Sequence, residues 1–444
     1  MNQELSIRLL LTERAAQENI VTGVNITRST ITVKLKPNVQ KVYDRPDCQK
    51  PVIVEHHDSE VLTVQGLGLQ GKALRYQVKS IRLGYLNDAG KFTTFSVPIP
   101  GIRTDLLVTD EVVDKALYLN VDRNLSLPVT AEMLADLYQV QTSASALDRW
   151  KVGEAERLPT IGQLIQQLNE KKPITALHLD EYKATGTKSW ELAVRDEHGR
   201  LLFSIRLKKR DRWHIQAILR WFRMLGLKIK LFYVDFWLAY PPAIKAIYHE
   251  AEIQYDFFHV IQNIHRHLYQ ALTQYRKAFK ATQTDAEQAE LRQQLHKKLW
   301  QHRYLLFTNE ENLSPDQRQI LDELLVEHAD TIVEHMVLFR QQLRTIFNES
   351  DTFAVALENL AVLILDGWAD LSAAFGKVMT FLQDNFENML TYLRLPDVQR
   401  FSLSECTVRS LRRIEKIRQG FKTHRGRVNH LKLLQWRKYL RPVS

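Results

Sequence analysis

The sequence predicts an α/β protein: a mixed-sheet core with a large all-helical insertion, preceded by a β-rich region and a short helical pair. Three observations carry this expectation. Between residues 173 and 260, apolar runs of strand length alternate with two helical stretches in the order β-β-β-α-β-α-β. From 261 to 400, apolar residues recur at spacings of three and four almost without interruption. Before residue 125, short β-branched runs are broken by Gly, Pro and Asn-Asp turns. The resulting segments are 1–125 (β-rich), 126–172 (helix-turn-helix and connector), 173–260 (first part of the core), 261–400 (insertion) and 401–444 (a core-completing helix and basic tail).

In the first segment the strand candidates are STITVKL, VIVE, VLTVQ, ALRYQVKSIRLGYL and KFTTFSVPI. The next, SLPVTAEMLADLYQVQTSASALDRWK, places AEMLADLY and TSASALDRW in two helices around the break QVQ, with Thr142 opening the second. Ala135, Val140 and Arg149 suit a helix-turn-helix, with Arg149 and Lys151 as candidate DNA contacts; an ordinary helical hairpin shares the pattern. EAERLPTIGQLIQQLNEKKP follows as a polar helical connector.

The core opens with ITALHLD, a strand ending on Asp180. SWELAVR and LLFSIRL are strands joined by the turn DEHG, and HIQAILRWFRMLG is an amphipathic helix closed by Gly226. KIKLFYV ends on Asp235, PPAIKAIYHE is a short helix, and AEIQY ends at Asp256, with His259 three residues beyond. Within the insertion, SPDQ at Ser314 carries a helix-start signature. FAVALENLAVLILDGW, interrupted by Glu358 and Asp366, is expected to be a buried helix and not a membrane span.

Charge and cysteine content narrow the function. A net charge of +10 and a pI near 9.3 suggest a polyanionic partner, foremost nucleic acid. Arg409 to Arg441 holds 12 Lys or Arg against one acid, Glu415, which makes Arg412, Arg413, Arg418 and Lys422 candidate DNA contacts; a solvated basic helix is the structural alternative. Two cysteines, Cys48 and Cys406, exclude a disulfide framework or a Cys-rich zinc module and fit a reducing, cytoplasmic setting. The N-terminal stretch lacks the apolar core of a signal peptide.

Acids at the ends of buried strands have a chemical use. Carboxylates converging on one point repel unless a cation sits between them, and oxygen-only ligands favour Mg²⁺ or Mn²⁺. Two such ions about 4 Å apart serve phosphoryl transfer, stabilising both the attacking and the leaving oxygen. In this strand order Asp180 and Asp235 fall on neighbouring strands. Singly, each could equally cap a following turn.

HLDEYKATGTKSWELAVRDEHGRLLFSIRLKKRD and FYVDFWLAYPPAIKAIYHEAEIQYDFFHVIQNIHRHL together resemble the DDE transposases of bacterial insertion sequences. The matching pieces are Asp180-Glu181-Tyr182, Val234-Asp235 with Tyr240 five residues on, and Asp256-x-x-His259; YLLFTNEENLSPDQRQILDELL and GFKTHRGRVNHLKL add to them. The likeness runs from about Ile174 to Leu440 and is closest to the branch with a long helical insertion before the last acid. It implies a ribonuclease-H-like core, catalysis and Mg²⁺ (or Mn²⁺) binding by Asp180, Asp235 and a late Glu, and an auxiliary role for Asp256 and His259. It also implies double-stranded DNA partners (transposon ends and target), a homo-oligomer in a synaptic complex, and a nucleoid-associated location.

For the late Glu the resemblance favours Glu405, which opens a helix 15 residues, about four helical turns, before Gly420-Phe421-Lys422. Ser402-x-x-Glu405 is also a capping box, and Glu415 is the second candidate, although Arg412, Lys416 and Arg418 could simply neutralise it. The function expected is a transposase that cuts element ends and joins them to target DNA. Alternatives are a hydrolytic nuclease of the same fold and a non-transposing DNA-binding protein.

Overall fold

β-Branched residues crowd the N-terminal region, and in the computed structural model they pair into two sheets. The structure describes residues 13–37, 54–55, 60–79, 82–86, 89–96, 99–183, 189–207, 209–281, 286–400, 409, 411–412, 416 and 423–441. Described residues up to Leu168 and from Leu411 onward form one compact unit; those between Asn169 and Arg409 form a second.

The strands of the first unit are β1 (Ile20–Ile26), β2 (Thr30–Lys36), β3 (Val54–Glu55), β4 (Val61–Leu69), β5 (Lys72–Lys79), β6 (Arg82–Leu86), β7 (Phe92–Ser96), β8 (Ile102–Arg103) and β9 (Val108–Thr109). One sheet runs β1-β2-β5-β4-β9-β8 and the other β3-β6-β7. Alternation sets the buried face, with Ile31, Val33 and Leu35 of β2 stacked beside Leu74, Tyr76 and Val78 of β5. The β4–β5 hairpin turns on Gln70 and Gly71, both at positive φ (51° and 74°), the backbone that a tight twisted hairpin requires. β1, an edge strand, is absent from the sequence expectation because its alternation is weak: Ile20 and Ile26 are both exposed.

Helices Asp110–Leu117, Leu127–Tyr138, Ala144–Arg157 and His424–Gln435 share a core that includes Leu134, Val140, Leu147, Trp150 and Leu433. The helix-turn-helix segment does contain two helices about a buried Val140. The second is capped by Ser143, whose hydroxyl accepts from the Ala146 amide, one residue after the expected Thr142. It continues to Arg157, through residues assigned above to the connector.

The C-terminal segment packs through Arg427, Asn429, His430 and Leu431, all buried. Its Arg437 bonds Asp114 at 2.6 Å and Asp122 at 2.8 Å, Arg441 bonds Asp114, and Arg425 pairs with Glu156. Part of the basic charge is therefore spent inside the protein.

The second unit holds β10 (Ala176–Lys183), β11 (Trp190–Asp196), β12 (Leu201–Leu207), β13 (Leu231–Val234) and β14 (Glu252–Tyr255) in the order β12-β11-β10-β13-β14. The first three are antiparallel, and β13 and β14 add in parallel: a ribonuclease-H-like sheet. β10 does not stop at Asp180 as expected; its ladder with β11 continues to the Lys183–Trp190 pair. The helix Arg212–Met224 is capped by Asp211, and Gly226 ends that segment at φ 86°. From Phe257 to Arg394 the described chain is helical and loop-linked, with the capping box at Ser314 formed in full.

The apolar segment near residue 360 departs from expectation. Helix Phe353–Leu365 buries only Ala356, Leu360 and Leu363, and leaves Leu357, Val362 and Leu365 exposed. Its two acids interrupt the apolar surface without dictating which face packs inward. Among the described residues no helix is long and apolar enough to cross a membrane.

Glu13 offers a test of the first unit. It is buried, accepts from the Leu67 amide (2.7 Å) and the Thr109 hydroxyl (3.1 Å), and burial pushes its carboxyl up to about 7. A carboxyl raised on folding stabilises most below its unfolded value near 4.5 and loses that contribution as pH rises through about 7. Hydrogen exchange at β4 and β5 should accelerate from pH 5 to about 8 in the wild type, beyond the intrinsic pH effect. In Glu13→Gln that excess should flatten.

Candidate active site

Strand register, more than sequence proximity, gathers the acids. His178 of β10 pairs with Tyr233 of β13, and Val234 with Tyr255 of β14. Two residues past the first pair stand Asp180 and Asp235; one past the second stand Asp235 and Asp256. Three carboxylates thus share one level on three adjacent strands. The Asp256 amide donates to the Val234 carbonyl at 2.8 Å, which extends that register to the last acid.

Asp180 is 7% exposed. Burial raises its carboxyl to about 7, with Asp235 and Asp256 pushing the same way and His259 opposing. Asp256 is buried and starts the helix Phe257–Ala281: its carbonyl accepts from Val260 at 3.1 Å and its carboxylate from Phe258 at 3.1 Å. That capping role coexists with its place beside the other acids. His259 lies on the first turn, with Nε2 buried and not hydrogen-bonded.

The sequence reading missed the cation in this cluster. Arg210 pairs with Glu181 through Nε and with Asp235 Oδ2 through Nη2 at 2.8 Å. Its guanidinium lies over Trp190 (5.0 Å) and Trp237 (4.5 Å). The other Asp235 oxygen accepts from the Trp237 amide at 2.9 Å, so both oxygens are oriented. Glu181 has a fully buried side chain beside the buried Tyr240, and burial raises its carboxyl to about 7 against the lowering effect of Arg210. A basic residue in LKKRDRW looks like any surface charge; only its partners distinguish it.

Of the other candidates, Arg149 is exposed on its helix, whereas Lys151 is 8% exposed, inside the helical core. Arg412 is exposed. Glu405, Glu415, Arg413, Arg418 and Lys422 lie outside the described residues. Among the described residues no three His, Cys, Asp or Glu side chains form a group able to hold a metal ion. Asp180 and Asp235 still suit a hard divalent cation: both donate oxygen, and a cation beside Asp180 would offset the cost of its buried charge.

A family model described as a transposase, DDE_Tnp_ISL3, matches residues 177–425. No curated protein matches. Among solved structures, the Drosophila P element transposase strand transfer complex is similar at 11% identity and a TM-score of 0.31, over 74% of this chain and 92% of that one.

Arg210→Gln should leave Glu181 buried without its cation and destabilise the protein. Loss of one partner from a buried pair costs about 3–5 kcal/mol. The guanidinium here is 25% exposed, so solvent screening reduces the expected loss to about 2 kcal/mol. Urea unfolding of the full chain measures it, and Glu181→Gln combined with Arg210→Gln should recover part of the loss.

Proposed function

This chain belongs to the DDE_Tnp_ISL3 transposase family, and from that premise we propose that it binds the ends of a mobile element, cleaves them and joins them to target DNA by two-metal phosphoryl transfer. The observation that carries the proposal is the shared level of Asp180, Asp235 and Asp256 on three adjacent strands, with Asp235 between the buried Asp180 and Asp256.

In this reading Asp180 and Asp235 hold divalent metal together with Glu405. Mg²⁺ or Mn²⁺, when bound, supplies charge compensation and activation of the attacking oxygen. The protein's own groups do the positioning. Arg210 and the Trp237 amide fix the two oxygens of Asp235. Asp256 holds the start of helix Phe257–Ala281, and this sets His259 near Asp180. His259, with an unbonded buried nitrogen, is available to a DNA phosphate or to the acids.

The choice of Glu405 over Glu415 has support from the returning chain. The Gln399 amide donates to the Tyr233 hydroxyl at 2.8 Å, and Tyr233 stacks on His178 at 4.2 Å. The chain is thus back at β13, one strand from β10, six residues before Glu405, a span of at most about 20 Å. End recognition is assigned to the helical pair through Arg149, with Arg412, Arg413, Arg418 and Lys422 contributing phosphate contacts and Lys151 an inward role. A homo-oligomer would synapse two ends.

Asp180→Asn and Asp235→Asn should each reduce cleavage and joining at least about a thousandfold in Mg²⁺ while leaving duplex binding nearly intact. The substrate is a labelled duplex carrying the inverted repeats that flank the gene. Near wild-type cleavage by either variant would reject the metal-site assignment. Glu405→Gln should behave likewise and Glu415→Gln should not; the reverse result moves the third acid ten residues along.

A further inference from the structure

An open groove of about 800 Å³ begins at Asp235 and runs between the turn Phe236–Leu238 and the insertion helices Phe257–Ala281 and Ala373–Met389. Its walls are aromatic near the acids: Phe236 meets Phe381 edge-on with centroids 5.1 Å apart, and Trp237 stands beside them with Arg210 over its ring. Its rim is cationic. Arg266 and Lys377 are exposed, and neither joins an ion pair to an acid among the described residues. Their charges, after burial, hold His267 between them below its usual range. Asp384, on the far wall, is the acid in the lining besides Asp235. At the mouth Leu238 is 78% exposed, an unusual position for a leucine next to a strand-end carboxylate.

We propose that this groove receives an unpaired nucleotide of the DNA strand being cut, with its base on the Phe236–Phe381 wall and its phosphates on Arg266 and Lys377. The inference rests on the transposase reading of the neighbouring acids. Size suits a single nucleotide: a groove of about 800 Å³ lies in the range of sites that hold one small ligand. Chemistry favours a nucleotide over an apolar peptide: aromatic faces accept any base and the exposed cations match the phosphates, and an apolar segment would leave those two charges without a partner. Continuity with Asp235 gives the local strand separation a purpose, because a phosphodiester within a stacked duplex is harder to bring to a recessed carboxylate. An exposed apolar side chain at the mouth, Leu238, can fill space left in the stack.

The test uses the full chain with Ca²⁺ in place of Mg²⁺ and three labelled probes: a blunt duplex, the same duplex with an oligo-dT flap, and the duplex with an abasic flap. The dT flap should tighten binding about tenfold over blunt duplex, and the abasic flap, which retains phosphates without bases, should recover only a small part. Phe381→Leu and Lys377→Gln should each lose most of the dT-flap advantage with blunt-duplex affinity and thermal midpoint unchanged. Lys377 is exposed and serves if the Phe381 variant folds poorly. Equal affinity of the wild type for blunt and dT-flapped duplex overturns the proposal, as does an advantage that survives in both variants. Cleavage of duplex in Mg²⁺ without flap preference rejects the groove alone. Failure to bind or cut any duplex rejects the transposase reading and the groove with it.

Discussion

Parallel register between β10, β13 and β14 is the constraint from which the second unit's site follows. Once His178 pairs with Tyr233 and Val234 with Tyr255, the next side chains are Asp180, Asp235 and Asp256, and their charges must be accommodated together. Each available remedy is visible. Burial and mutual repulsion push Asp180 toward its neutral form. Asp256 turns its carboxylate to a helix amide. Asp235 takes Arg210 on one oxygen and a backbone amide on the other. The guanidinium in turn is held by Glu181, Trp190 and Trp237, so four side chains are committed to presenting one carboxylate.

Much of this was legible in the sequence, for physical reasons that vary by element. The order of core strands was readable because each is a dense apolar run bounded by turn residues, with DEHG marking the turn between two strands and Gly226 the end of the helix that follows them. The adjacency of Asp180 and Asp235 followed from that order. The end of β10 was not readable: Glu181 and Tyr182 look polar enough to end a strand, yet both are buried, Glu181 by Arg210 and Tyr182 by packing. Arg210 itself lies 29 residues from Glu181 and 25 from Asp235, so no local pattern links them. Strand β1 escaped notice because an exposed edge strand carries little alternation.

Charge was the least transferable clue. A net +10 is a property of the whole chain, and its densest stretch is the last part of the sequence. There, Arg425, Arg437 and Arg441 face Glu156, Asp114 and Asp122 within the first unit, and Arg427 is buried. Lys151 is likewise inside a core that sequence spacing alone would place it outside. Part of the positive charge in this family member is therefore matched by the chain's own acids, which only the three-dimensional partners reveal. The cations on the groove's rim, Arg266 and Lys377, come from the insertion, whose sequence gives no sign of a basic patch.

The insertion can interrupt the core without unseating it because the chain leaves and re-enters at the same strand. It leaves β14 through Asp256, directly into helix Phe257–Ala281. It returns where Gln254 donates to the Met389 carbonyl at 3.0 Å and accepts from the Tyr392 amide at 2.9 Å, while the Thr391 hydroxyl bonds the Ile253 carbonyl at 2.6 Å. An edge strand normally presents unpaired backbone groups; here the returning chain satisfies part of that edge. Arg400 then lies over the ring of Phe257, the first residue of the departing helix, at 3.5 Å. Departure and return are thus closed on each other by a cation and a ring, and Gln399 is tied to Tyr233 in the same step. A long helical excursion costs the sheet little order under this arrangement, since loop closure depends weakly on length once the ends are fixed. The insertion's two feet thus stand on the strand that leads to Asp256, tied to it by a few named hydrogen bonds.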